Sequence, residues 1–283
     1  MHDHTLSSDK KDILTPAQKV SLARNINRPH IDDFIHALFT DFFEQKGDHL
    51  YDEDRSILGG IARYHSIPVT VVGHRKGHNA QDNVAYNFGM PCPEGYRKAL
   101  RIMEQADKFH RPIITFVDTP GAYPGKEAEE HGQGEAIARN LAVMSRLSVP
   151  VICVVTGEGN SGGALALSVA NKILMLENAV YSVLSPEGFA SILWKDASRH
   201  EEACELMKLT SDNLQKAGVA DEIIPEPVGG AHLDPQHLYP EMDAVINRNL
   251  NHLMLLSPAE IIADRRAKFR HLGEIQEAAS ITG

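Results

Sequence analysis

Two loops in this sequence hold residues that could do chemistry, and each follows an almost unbroken apolar run. The first is Asp118-Thr119-Pro120-Gly121-Ala122-Tyr123-Pro124-Gly125-Lys126, after PIITFV (112–117). The second is Gly157-Glu158-Gly159-Asn160-Ser161-Gly162-Gly163, after VPVICVV (149–155). The Gly-Lys ending of the first invites a phosphate-loop reading, which fails. Only three residues separate Gly121 from Gly125, and Glu127 stands where a Ser or Thr should ligate Mg²⁺. The second loop satisfies G-x-G-x-x-G through Gly157, Gly159 and Gly162, but the helix expected from Ser161 to Ala170 is short for a dinucleotide-binding crossover. It also satisfies G-x-S-x-G, and Asp221 and His232 follow Ser161 in the order of an α/β-hydrolase triad. A serine hydrolase is therefore a rival reading. The plainer one makes Ser161 a helix N-cap.

Gly162-Gly163 in a first helical turn needs a reason, because each glycine costs about 1 kcal/mol relative to alanine in a helix interior. A close approach to the backbone would supply it. First-turn N–H groups have no intrahelical partner, so they suit an anion or an oxygen that becomes anionic during reaction. Gly121-Ala122 offers a second set of amides after a neighbouring buried strand. Two such loops at one sheet edge make a site that needs no nucleophile.

The elements that position these loops read as α/β. Thr15-Pro16-Ala17-Gln18 is a capping box. Phe34, Ile35, Leu38, Phe39, Phe42 and Phe43 form one apolar stripe, which predicts a helix ended by Gly47. Strands are expected at 56–62 and 68–73, a helix through Tyr96, Ala99, Leu100, Met103 and Phe109, and two buried strands at the apolar runs. Further strands fit 172–176, 179–184 and 221–224. A helix opens at Ser185-Pro186, and Ser257-Pro258-Ala259-Glu260 caps the last one.

The 283 residues carry 42% apolar and 23% charged side chains, an ordinary globular balance that excludes disorder and collagen-like repeats. Lys+Arg total 28 against 38 Asp+Glu, a net charge of -10, so no nucleic-acid partner is expected. Cys92, Cys153 and Cys204 form no C-x-x-C pair and no metal set. No apolar leader or membrane-spanning run is visible, and a cytoplasmic protein is expected. The basic stretch Gly73-His74-Arg75-Lys76-Gly77-His78 reads as a solvated turn rather than a metal or coenzyme site. Arg265, Arg266, Lys268 and Arg270 read as a solvated helix face.

The sequence is identified as a member of the family of α subunits of bacterial acetyl-coenzyme A carboxylase carboxyltransferase. The resemblance is carried by DTPGAYPG (118–125), AEEHGQGEAIARNL (128–141), GEGNSGGALAL (157–167) and SPEGFASILWK (185–195). LTPAQKVSLAR (14–24), GGIARY (59–64), NFGMPCPEGYRKALRIME (87–104) and IIPEPVGGAH (223–232) extend it in the family's order.

This resemblance implies a crotonase-like (ClpP/crotonase) superhelix of ββα units with helical arms at both ends. One carboxyltransferase domain would span 13–270: an arm over about 13–47, a core over about 51–225 and helices over about 234–270. Residues 1–12 and 275–283 would be flexible. The implied activity is carboxyl transfer from carboxybiotin, on a biotin carboxyl carrier protein, to acetyl-CoA, giving malonyl-CoA for fatty-acid synthesis. Negative charge would develop on the ureido oxygen and then on the thioester enolate. The implied assembly is α2β2, with a zinc-ribbon β subunit and no metal in this chain. A separate biotin carboxylase would use ATP. By motif match, Gly162 and Gly163 form a backbone oxyanion hole, while Gly121, Ala122 and Tyr123 line the biotin cleft. A non-catalytic scaffold paralogue is the third reading. Three features depart from the family pattern: Asn160 in place of a glycine, Lys126-Glu127 in place of a smaller pair, and a short N-terminal arm.

Overall fold

A computed structural model describes residues 14–273, so the expectations for 1–12 and 275–283 lie outside the described residues. Eight strands form one mixed sheet: β1 (Thr40–Glu44), β2 (Ile57–Tyr64), β3 (Ile67–His74), β4 (Ile113–Thr119), β5 (Val151–Asn160), β6 (Lys172–Leu176), β7 (Val180–Ser182) and β8 (Glu222–Ile224). The order is β1-β2-β3-β4-β5-β6-β8, with β7 paired to β5. β1, β2 and β3 run antiparallel, and the rest of the sheet is parallel. Every residue of β4 and β5 is buried, as all-apolar runs covered on both faces require. β5 is long enough to serve two partners. Its first half, Ile152–Val155, pairs with β6, and its last three residues pair with β7. The parallel strands therefore all deliver their C-terminal ends, and the glycine loops, to one end of the sheet.

The aromatic stripe is where the expected helix fails. The helix Ile31–Leu38 stops at Phe39, which is extended at φ -125°, and Thr40–Glu44 becomes edge strand β1. Phe39 turns into the core, 5.4 Å from the Tyr64 ring and 6.3 Å from the Phe116 ring, while Phe43 is exposed. Gly60 makes the strand pairing possible, because a β-carbon there would lie 2.1 Å from the Phe43 carbonyl oxygen. Phe109, expected inside its helix, caps the Pro93–Lys108 helix and is exposed.

The basic C-terminal face is also not simply solvated. In the Pro258–His271 helix, Arg265 is fully buried and donates to the carbonyls of Met144, Leu147 and Val149 and to Asn171 Oδ1, at 2.6–2.9 Å. Those carbonyls end one helix and lead into β5, so Arg265 ties the terminal helix to the sheet. Lys268 pairs with Asp221.

Candidate functional site

The two loops meet. A β-carbon on Gly163 would lie 2.6 Å from the Ala122 amide nitrogen, 2.7 Å from the Gly121 carbonyl carbon and 2.9 Å from the Tyr96 hydroxyl oxygen. Gly163 is thus a glycine because the other loop's backbone occupies the side-chain position. Gly162 differs: its β-carbon would make ordinary contacts with Ile137 at 3.6 and 3.7 Å. Gly121 holds φ +142°, with nothing within 4 Å of a β-carbon. That conformation, rather than crowding, selects glycine there.

Among the described residues, the amides of Gly162, Gly163 and Ala122 have no hydrogen-bond acceptor within the chain. The Gly121 amide is already used. It donates to Thr119 Oγ1 at 3.0 Å, while the Thr119 hydroxyl donates to the Gly121 carbonyl at 2.8 Å. The expected second pair of amides is therefore a single one, that of Ala122. The helix after β5 is also shorter than expected, Ser161–Leu165, so its dipole is small and local N–H groups carry the positive potential.

Ser161 is not the N-cap. Asn160 takes that place, and Ser161 sits inside the turn at φ +60°. A strained strand-to-helix turn would suit a nucleophile, but no base accompanies it. Asp221 accepts from the Ile173 amide and pairs with Lys172 and Lys268 at the N-terminal end of β6, the opposite end of the sheet from Ser161. No hydrogen bond joins His232 to Ser161 or to Asp221, and its Nδ1 is unpaired. The hydrolase triad is not assembled.

Gly162 and Ser161 line a mainly apolar cavity of about 520 Å³ with Leu165, Tyr181, Val183 and Phe189. Tyr123 does not face it. Its amide donates to the Pro91 carbonyl at 3.0 Å, its carbonyl accepts from Gln133 Nε2 at 3.1 Å, and its ring folds over Gly125. It lines a separate acidic cavity of about 370 Å³ with Cys92, Glu94 and Glu127. A cavity of about 980 Å³ around His65, Ser66 and Asp243 opens at the far end of the sheet and contains none of these residues.

Beneath the loops lies a charge cluster that sequence reading missed. The β4–β5 register slips between Val117 and Thr119, where β5 advances from Val155 to Gly159. The Asp118 carboxylate bridges that gap. Its Oδ1 accepts the Glu158 amide at 3.1 Å and Lys76 Nζ at 2.7 Å, and His30 Nδ1 stands 3.4 Å from Oδ2. Lys76 Nζ also reaches Glu158 Oε1 at 3.2 Å, and Arg24 Nε reaches Glu158 Oε2 at 3.0 Å. Gly157 must lack a side chain, because its β-carbon would lie 2.4 Å from Asp118 Oδ1. Burial by itself would raise the Asp118 carboxyl, but Lys76 and His30 reverse this and hold it well below its ordinary range. Burial would likewise lower Lys76, and the two carboxylates raise it instead. Asn160 belongs to the cluster rather than the cavity: it donates to Glu158 at 3.2 Å and accepts from Ser182 Oγ at 2.8 Å.

The basic turn 73–78 is thereby explained and corrected. Lys76 is the clamp, Arg75 pairs with Asp32 at 2.6 Å, and His74 is buried without a hydrogen bond. Only His78 is exposed, where it pairs with Asp33. The signal for the cluster was present: a charged residue beside each all-apolar run, Asp118 and Glu158, must find a partner once buried.

Comparisons with known proteins show the family and the fold. The family described as acetyl co-enzyme A carboxylase carboxyltransferase-like matches residues 2–273. The chain is 55% identical over 273 residues to the acetyl-coenzyme A carboxylase carboxyl transferase subunit alpha of Anoxybacillus flavithermus, covering 96% of this chain and 84% of that protein. It is 52% identical over 270 residues to the same subunit of Bacillus subtilis, covering 95% and 83%. Among solved structures, transcarboxylase 12S superposes with TM-score 0.66 at 19% identity, over 87% of this chain and 46% of that one. A Pseudomonas malonate decarboxylase hetero-tetramer bound to coenzyme A gives 0.63 at 16%, over 77% and 89%. These two structures share the fold alone, and that fold is crotonase-like, as the family resemblance implies. The chain belongs to the acetyl co-enzyme A carboxylase carboxyltransferase-like family.

Proposed function

We propose that this chain is the α subunit of an acetyl-CoA carboxylase carboxyltransferase and forms the biotin side of a cleft shared with a β subunit. The observation that carries the reading is the meeting of Gly163 with the Gly121-Ala122 peptide, which gathers three unpaired amides at the end of the parallel sheet. Carboxybiotin on a biotin carboxyl carrier protein supplies the carboxyl group when bound. The amides of Gly162, Gly163 and Ala122 hold an oxygen that gains negative charge during transfer to acetyl-CoA, with malonyl-CoA as product. One backbone donor of this type is worth roughly 3–4 kcal/mol in the cases measured. Gly121 supplies the turn, and Tyr123 braces the loop through Pro91 and Gln133. Lys76, Asp118 and Glu158 keep both loops in register.

The whole span 13–270 then works as one carboxyltransferase domain in an α2β2 assembly in the cytoplasm. Zinc belongs to the β subunit, and ATP to a separate biotin carboxylase. Val183, which lines the apolar cavity, is exposed, as are Ile192 and Leu193 on the Pro186–Trp194 helix that contributes Phe189 to it, which favours a protein partner there. The test is turnover. The purified chain alone should not form malonyl-CoA, and mixing it with a zinc-ribbon β subunit and carboxybiotin should start the reaction. A pair that associates without carboxyl transfer would leave the scaffold reading in its place.

A further inference from the structure

The Tyr96 hydroxyl is completely buried and has no hydrogen-bond partner among the described residues. Buried hydroxyls are nearly always paired, because an unpaired one carries the full cost of leaving water. Its position supplies a reason. Tyr96 projects from the Pro93–Lys108 helix into a small cluster with Ala122, Ala136, Ile137 and Ala166. Its oxygen would lie 2.9 Å from a β-carbon on Gly163, the same point that the Ala122 nitrogen and the Gly121 carbonyl carbon approach. An unpaired hydroxyl and the unpaired Ala122 amide thus approach one point beside Gly163.

Burial first, with the charges of Asp54 and Cys92 adding to it, holds the phenol far above its ordinary range, so it remains a protonated donor. The nearby Gly121 carbonyl accepts one bond, from Thr119, and has a second lone pair to offer. The Thr119 hydroxyl holds this peptide at its carbonyl end, and the Ala122 N–H at its other end has no partner among the described residues.

We propose that Tyr96 is a positioning residue for carboxyl transfer: when substrate draws the Gly121–Ala122 peptide inward, the Tyr96 hydroxyl donates to the Gly121 carbonyl and fixes the Ala122 N–H on the developing oxyanion. This rests on the function proposed above. The bond is absent from the resting chain and forms in the loaded cleft, so its loss should leave the fold alone and weaken only the transition state.

The test is Tyr96→Phe in the reconstituted α/β pair. The melting temperature of the purified chain should stay the same or rise. The kcat for malonyl-CoA formation should fall roughly tenfold, with KM for acetyl-CoA changed by less than about twofold. Incorporation of 3-fluorotyrosine at position 96, which keeps the donor, should hold kcat near the wild-type value. If the wild-type pair transfers no carboxyl group, the proposed function fails first. With an active wild type, three results overturn the Tyr96 role: an unchanged kcat, a raised KM with kcat intact, or a loss of kcat matched by a lower melting temperature.

Discussion

At the scale of single residues, the adjacent glycines Gly162 and Gly163 are glycines for different reasons, and a substitution series should separate them. The β-carbon of alanine at 163 would press on the backbone of Gly121 and Ala122, which cannot swing aside as a flexible side chain can. Overpacking of this kind costs typically 1–3 kcal/mol. Gly163→Ala should therefore lower stability by about 2 kcal/mol in urea titrations and cut turnover of the α/β pair at least tenfold. Gly162→Ala meets only Ile137 at van der Waals distance and should unfold within about 0.5 kcal/mol of the wild type. Equal losses at both positions would contradict this division.

Elements are held at this site by charge where the hydrogen-bond ladder gives out. β4 and β5 part at Asp118, and Lys76, from the turn after β3, replaces the missing ladder bonds with an ammonium between two carboxylates. Breaking such a buried set by removing one partner typically costs 3–5 kcal/mol, because the remaining charges stay buried. Lys76→Met should accordingly destabilise the chain by about 3–5 kcal/mol and lower turnover, since both glycine loops lose their common anchor. Denaturant titration measures the first effect and the paired assay the second. A loss below about 1 kcal/mol would show that the loops hold their register without the clamp.

Acid sensitivity belongs to the molecule as a whole. His74 is buried among Asp118, Lys76 and the carbonyls of Gly163 and Phe116, and burial pushes its imidazole down to about 4 from 6.5. The unfolded chain therefore binds the proton more readily than the folded one. The stability this confers is fully present above about pH 6.5 and is lost as pH falls through about 4, with a span of up to about 3 kcal/mol. Asp118 extends the loss. Its depressed carboxyl stabilises the fold above its ordinary value of 3.8, and that contribution disappears as pH falls through its lower folded value. Urea midpoints at pH 7.5 and 4.5 should differ, and His74→Gln should flatten the difference. A wild-type profile flat across that interval would refute the assignment.

The apolar runs 112–117 and 149–155, the caps at Thr15, Ser185 and Ser257, and the ordered motif blocks determined the buried strands, the helix starts and the family from sequence alone. Each of these is a local or near-local property of the chain. Packing decided the rest. Phe39 to Phe43 satisfy a helical period, yet an open edge on β2 and the missing side chain at Gly60 turned them into a strand. Arg265 and Lys76 look like solvated charges in a linear string, and only the folded sheet brings carbonyls to one and carboxylates to the other. The glycine loops announced an amide-rich site. That Gly121's own amide is consumed by Thr119, that Tyr123 faces elsewhere, and that Tyr96 stands under Gly163 all depend on segments far apart in sequence coming within a few ångströms, which pattern and propensity do not encode.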